Sequence, residues 1–266
     1  MVGGHQQSCP TNGTGPNEPI GSAVDSQGAT LLNVRLPLLA RRLHKWFALL
    51  LALQVLIWTF TGLYMVIVDL DIIHGDHLVK EPPRYTVPLA NLADPLSVAR
   101  QVPDANTVRL FWRGERPAYA IAAKTQTVTM DAVTGRPLPA PSEGEIRRAA
   151  LENFNGNEAI VSVALLPEAP FEIRGRQGPL WRVQFEGWNN PTFYLSAHTG
   201  ELLSRRHELW RTFDLFFGLH VMDYSTREDV NNPLLQIASA LAVIMSLSGA
   251  WLLLYSFPRR AKRKAP

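Results

Sequence analysis

Residues 46–68 read WFALLLALQVLIWTFTGLYMVIV, with no charge at any position. A bilayer core is crossed by about 20 apolar residues at about 1.5 Å of rise each, and this stretch is long enough. A soluble helix of that length carries a charged face, and this one has none. Residues 234–257, LLQIASALAVIMSLSGAWLLLYSF, form a second uncharged window. The sequence between them is ordinary and polar. Over all 266 residues, 46% are hydrophobic and 18% charged, the latter below an average soluble domain. The mean hydropathy of -0.03 therefore conceals two spans beside a polar domain. This segregation excludes a purely soluble enzyme, a collagen-like chain and a wholly disordered one. The single cysteine, Cys9, excludes an intrachain disulfide framework and a Cys-based zinc or iron–sulfur centre.

The basic residues give a direction. Arg35, Arg41, Arg42 and Lys45 precede the first span, and Arg259, Arg260, Lys262, Arg263 and Lys264 follow the second. Asp69, Asp71 and Asp76, and Arg227, Glu228 and Asp229, stand at the inner flanks. The positive-inside rule puts both termini in the cytoplasm and the middle of the chain across the membrane, in the periplasm of a Gram-negative cell. The first span exceeds a signal-peptide apolar region and reads as an uncleaved anchor. The positive charge is accounted for beside the membrane, so no nucleic-acid partner is expected. Pro37 suits the first turn of a helix over 37–69. Asn232-Pro233 suits the start of a helix over 233–257, and 258–266 is a basic tail. Ala238, Ala242, Ser246 and Ala250 recur every fourth position, a small-residue face for close helix packing. Residues 1–30, including Cys9, read as a disordered tail.

The region between the spans contains a repeat. VTMDAVTGRPL at 128–138 and FYLSAHTGELL at 193–203 each show an alternating strand, a short step, Thr-Gly and a further short strand. Upstream of the first, Asp94-Pro95 opens a short helix, and strand patterns follow at 108–112 and 119–123. Upstream of the second, Ser142 and Glu145 form a capping box. Strand patterns follow it at 160–165, 181–185 and 192–195. The fold expected is a membrane α+β protein: two transmembrane helices flanking two repeats, each one helix on a small antiparallel sheet. A linker spans 70–92, the repeats span 93–139 and 140–206, and an amphipathic helix over 208–225 carries the stripe Trp210, Phe213, Phe217, Val221, Tyr224 along the membrane surface.

A strand that ends in Asp131-Ala132-Val133-Thr134-Gly135 after a helix and a meander resembles the PepSY domain. Ser196-Ala197-His198-Thr199-Gly200 departs from it at the acidic position. Leu43-His44-Lys45-Trp46 and Thr61-Gly62 resemble the L-H-x-W and T-G of PepSY-associated transmembrane helices. Leu219-His220 and Ser248-Gly249 stand at matching places of the second span. The resemblance covers about residues 36–257. It implies an inner-membrane protein related to larger haem-containing ferric–siderophore reductases, or to PepSY modules that bind or restrain periplasmic proteins.

What it implies chemically centres on histidines. A b haem takes two imidazoles at one membrane depth. His44 and His220 are the candidate ligands. About 38 Å of helix separates His44 from Asp69, so a second copy or another subunit would complete its site. Otherwise His44 is an interfacial histidine, and His220 one bonded to a backbone carbonyl. Asp71, His74 and His77 in the loop after the first span are candidate metal ligands, or a solvated acidic loop. His74 or His77 would also serve as His220's partner ligand. His198 and His207 read as surface residues. Trp112, Trp181, Trp188 and Tyr194 either face a partner or pack in the core. No Walker, G-x-S-x-G or G-x-G-x-x-G motif is present. Three readings follow: a component of a haem-linked electron-transfer or iron-reduction system, working as a homodimer or in a larger complex; a non-enzymatic module that binds a periplasmic protein; and a metal carrier.

Overall fold

The computed structural model describes residues 25–81, 85–86, 89–124 and 126–256; for 25–37, 89 and 255–256 the description covers the backbone. Cys9, the first 24 residues and the basic residues 259–264 lie outside it. The described chain divides into two compact units, one from the residues up to Leu53 with those from Ala238 onward, the other Gln54–Ile237.

Helix α1, Asp25–Ile67, includes the first apolar window. It starts before Pro37, so that proline lies inside the helix rather than in its first turn. The uncharged residues end at Asp69, which caps the short helix α2, Leu70–His74, by accepting the N–H of Asp71 at 2.8 Å. Gly75 closes α2 at φ 72°, a left-handed position that glycine adopts without strain.

The polar region builds two helix-and-sheet units. In the first, helix α3 (Pro95–Ala99) packs on strands β1 (Ala105–Arg113), β2 (Arg116–Ala123) and β3 (Thr127–Asp131), antiparallel in that order. Val98, Tyr119, Ile121 and Met130 form its core. In the second, helix α4 (Glu143–Asn153) packs on β4 (Ile160–Leu166), β5 (Leu180–Phe185), β6 (Thr192–Ser196) and β7 (Leu202–Arg206). The capping box at Ser142 and Glu145 is formed. Phe154 stacks on Phe185 at 4.0 Å, with Phe193 edge-on to both. The expected fourth strand is full-length only in the second unit; in the first it shrinks to a single bridge, Met130 with Pro137.

The two strand-ending turns use different residues for one job. Asp131 Oδ1 accepts the N–H groups of Val133 and Thr134, and Gly135 follows at φ 67°. Ser196 Oγ accepts the N–H groups of His198 and Thr199, and Gly200 follows at φ 79°. A short oxygen-bearing side chain is the physical requirement, which serine meets as well as aspartate. Arg109 holds Glu201 by a two-pronged pair and Arg113 holds Glu145, joining the units through charged contacts.

Helix α5, Glu208–Val221, is shorter than expected, since Met222 turns left-handed at φ 56°. Its side chains meet α1: Phe216 packs edge-on against Phe60 at 5.6 Å and Tyr64 at 4.9 Å. Tyr64 also donates its hydroxyl to the Leu209 carbonyl. Phe216, which lies outside the expected stripe, therefore covers the end of the first span, while within the stripe Phe213 stacks on Phe217 and Trp210 lies under Arg206. Helix α6, Pro233–Ser256, starts where expected, with Asn232 accepting the N–H of Leu235. Its small-residue face differs from the expected one. Ala238 is buried and Ala242, Ser248 and Gly249 are half-buried, whereas Ser246 and Ala250 are exposed. An ideal helix turns by 3.6 residues, so a buried stripe alternates steps of three and four and leaves a strict four-step ladder.

Candidate functional site

His220 sits in the last turn of α5, where backbone carbonyls lack helical partners. The Trp58 indole fills one of these places, donating to the His220 carbonyl at 2.8 Å. The imidazole lies against Thr61-Gly62 of α1. Thr61 is 2% exposed, and its Oγ1 is 2.9 Å from His220 Nδ1. The same hydroxyl is 2.7 Å from the Ile57 carbonyl. A hydroxyl carries one hydrogen, and the carbonyl can only accept it. Thr61 therefore donates to Ile57 and accepts from His220, which places the ring hydrogen on Nδ1 and leaves the lone pair at Nε2. Gly62 makes room for the ring: a Cβ there would stand 3.5 Å from Cε1.

His44, on α1, repeats the arrangement against α6. Its Nδ1 is 2.7 Å from Ser248 Oγ of α6. Ser248 donates to the Met245 carbonyl at 2.9 Å, so it accepts from His44. A Cβ on Gly249 would come within 3.1 Å of the His44 Cε1. Each Leu-His pair thus lays its imidazole on a hydroxyl–glycine notch of an apolar helix, α1 for His220 and α6 for His44. The ring is held by Nδ1, and Nε2 is left as a nitrogen donor.

The family model for the PepSY-associated TM region matches residues 41–266. The chain belongs to this family. No curated protein and no solved structure matches it. The chain is accordingly a PepSY-associated membrane protein in contact with the lipid bilayer, and its described residues include two helices long and apolar enough to cross, Leu38–Ile67 and Pro233–Leu254.

The donor set tests the haem that the PepSY-associated resemblance implies. An axial imidazole is held through Nδ1–H and offers Nε2, and both His220 and His44 meet that condition. Each notch supplies one such nitrogen. His74 and His77 do not complete the His220 site. His77 packs on His207, with ring centroids 5.9 Å apart, at the start of α5. Thirteen helical residues, about 20 Å, separate that end from His220. His74 is exposed, and its carbonyl accepts from Arg205. Asp71, His74 and His77 do not converge either; among the described residues no group of three or more His, Cys, Asp or Glu side chains could hold a metal. The short helix α2 spreads them instead of folding a loop around an ion.

Two features escaped the sequence reading. His207, expected at the surface, is 0% exposed and caps α5. Asp214, on the same helix, is 5% exposed and held between Arg174 at 2.6 Å and Arg227 at 2.8 Å. Gly218 admits Arg227, since a Cβ there would meet its Cγ at 2.6 Å. Of the aromatic residues, Tyr194 is wholly buried and donates to Glu172, and Trp112 stacks on Tyr85 at 4.5 Å. Trp188 stays 81% exposed.

Proposed function

We propose that this protein is a membrane redox component in which His220 and His44 each present Nε2 as one axial ligand to a b haem. The observation that carries this reading is the doubled notch, in which a hydroxyl already spent on a helix carbonyl fixes the tautomer of each imidazole. The chain supplies three things at each notch. A hydroxyl accepts Nδ1–H, a glycine lets the ring lie close to the helix, and at His220 an indole pins the backbone. Haem, when bound, supplies reversible one-electron transfer. Each notch has one nitrogen, so a second copy of the chain would supply the matching one to a bound haem. Arg41, Arg42 and Lys45 favour cytoplasmic termini and a periplasmic domain in a bacterial inner membrane. The two helix-and-sheet units are read as PepSY-like repeats, and an iron chelate in the periplasm suits such a protein as electron acceptor.

The test is a reduced-minus-oxidised absorption spectrum of protein purified in mild detergent from haem-replete cells. A b-type α band is expected, lost or shifted in His220→Ala and in His44→Ala. A folded protein with no band overturns the redox reading and leaves the other reading, a module that binds a periplasmic protein, to be tested by co-purification.

A further inference from the structure

His207 is a titratable ring enclosed entirely by protein, and the redox reading does not use it. It stands between β7 and α5 as the N-cap of α5, with Nδ1 3.3 Å from the Trp210 N–H. Asn189 fixes its tautomer independently. The Asn189 Oδ1 accepts the N–H of Leu209 at 3.2 Å, so its amide NH2 is the group that faces His207 Nδ1 at 3.3 Å. Two donors on Nδ1 require the lone pair there, and the ring hydrogen is on Nε2. Nε2 is buried without a hydrogen-bond partner. Gly75 packs against the ring so closely that a Cβ would lie 3.3 Å from Cδ2.

The surroundings offer a proton no counter-charge. From the segment after α1, the His77 ring meets His207 edge-on, the Ile72 and Ile73 carbonyls face it, and Asp76 is taken by Arg205 of β7. His74 of α2 is exposed beside them. Arg206 of β7 lies over the Trp210 ring at 3.9 Å. On α5, Glu208 is bonded to Arg211 and to Asn190. No carboxylate bonds the imidazole among the described residues. Burial pushes His207 below the ordinary imidazole range, the charge of His77 adds to that, and the two carbonyls oppose it.

We propose that His207 is a proton-operated cap: one proton from solvent, bound at Nδ1, turns the acceptor into a donor, breaks both hydrogen bonds to it and uncaps α5. The protonated ring faces two donors where it had accepted them. The first turn of α5 then keeps only the Glu208 and Leu209 N–H groups on Asn189 and loses the cap on Trp210. The same helix carries His220 at its other end, so acidification reaches the Thr61 notch through one rigid element. The sign is fixed by the lowered folded value. The cap is fully formed above the ordinary imidazole range near pH 6.5 and is lost as pH falls through the lower folded value.

Hydrogen–deuterium exchange on the full chain in lipid nanodiscs tests this from pH 7.5 to 5.0, each point corrected for the intrinsic exchange rate. Protection of residues 208–214 falls by up to about tenfold per pH unit between the ordinary imidazole value and the lower folded value and levels off below it, while α4 keeps its protection. His207→Asn caps through its side-chain oxygen without titrating, and its protection stays level. His77→Gln removes one opposing charge and moves the wild-type midpoint upward, which serves as the test if His207→Asn does not fold. A level wild-type profile, an equal fall in His207→Asn, an unmoved midpoint in His77→Gln, or simultaneous loss in α4 each overturns the proposal.

Discussion

A histidine on a membrane helix becomes chemically specific once both ring nitrogens are accounted for. At His220 the decision rests on Thr61, whose hydroxyl has one hydrogen and two neighbours at 2.7 and 2.9 Å. Thr61→Val keeps the shape and removes the acceptor, leaving Nδ1–H unsatisfied at about 1–3 kcal/mol. Haem retention in Thr61→Val is expected to fall by about 10–100-fold, the usual effect of losing the group that orients a ligand. Titration of the purified apoprotein with haem reads this, and unchanged affinity would remove Thr61 from the site. The glycines separate cleanly by distance. Gly62→Ala brings Cβ to an ordinary 3.5 Å from the ring and is tolerated, whereas Gly249→Ala brings it to 3.1 Å and displaces His44. The spectrum of the first should match the wild type, and that of the second should change. At the carboxylates the acid response runs in the usual direction. Asp223 is held well below the usual carboxylate range by the Thr226 hydroxyl and the N–H groups of Asp229 and Thr226. Asp131 is lowered by the N–H and hydroxyl of Thr134. The stability they contribute is complete above about pH 4 and is lost as pH falls through their lower folded values. Asp223→Asn should flatten the acid limb of a thermal-melt series measured from pH 5 to 3.

At the scale of elements, α5 ties the domain to the first span, and Gly218 governs how closely the 222–232 loop follows it. Gly218→Ala pushes a Cβ to 2.6 Å from the Arg227 stem, 2.8 Å from whose guanidinium lies Asp214. Overpacking of that kind costs about 1–3 kcal/mol. Thermal unfolding should shift down in Gly218→Ala, and an unchanged midpoint would show that the loop yields freely. The elements themselves were largely legible in the sequence, because each carried its own local signal. Apolar windows mark α1 and α6, Ser142-x-x-Glu145 starts α4, Asn232-Pro233 starts α6, and alternation marks the strands. The tautomers of His44 and His220 were not legible, because Ser248 and Thr61 lie 204 and 159 residues away. His207 was missed for a different reason. N-caps are recognised as Ser, Thr, Asp or Asn, and an imidazole accepting through Nδ1 carries no such sequence signature. The departure of Ser196 from the acidic pattern is an exchange of one turn-forming oxygen for another.

The whole molecule leaves most of its spans uncovered. Only 6% of the most apolar stretch of the first span and 11% of that of the second are buried by protein. Lipid satisfies such surfaces, so exposure alone does not call for a partner. Under the proposed haem reading, the nitrogen count does. Each notch offers a single Nε2, while a six-coordinate b haem takes two. A second copy related by a twofold axis brings the same residue to the other face of the ring, since a symmetric contact places each residue against its own counterpart. This arrangement predicts the behaviour of mixed pairs. Two differently tagged copies, one wild type and one His220→Ala, would be co-expressed and the tagged pair purified through both tags. If His220 of each copy holds one haem, the mixed pair retains it by one nitrogen only, and its oxidised spectrum moves from the low-spin six-coordinate form to the high-spin form. The wild-type pair stays low-spin, and the homogeneous variant pair loses the signal. A mixed pair that keeps a full low-spin signal would place the second ligand in a different polypeptide and end the symmetric model.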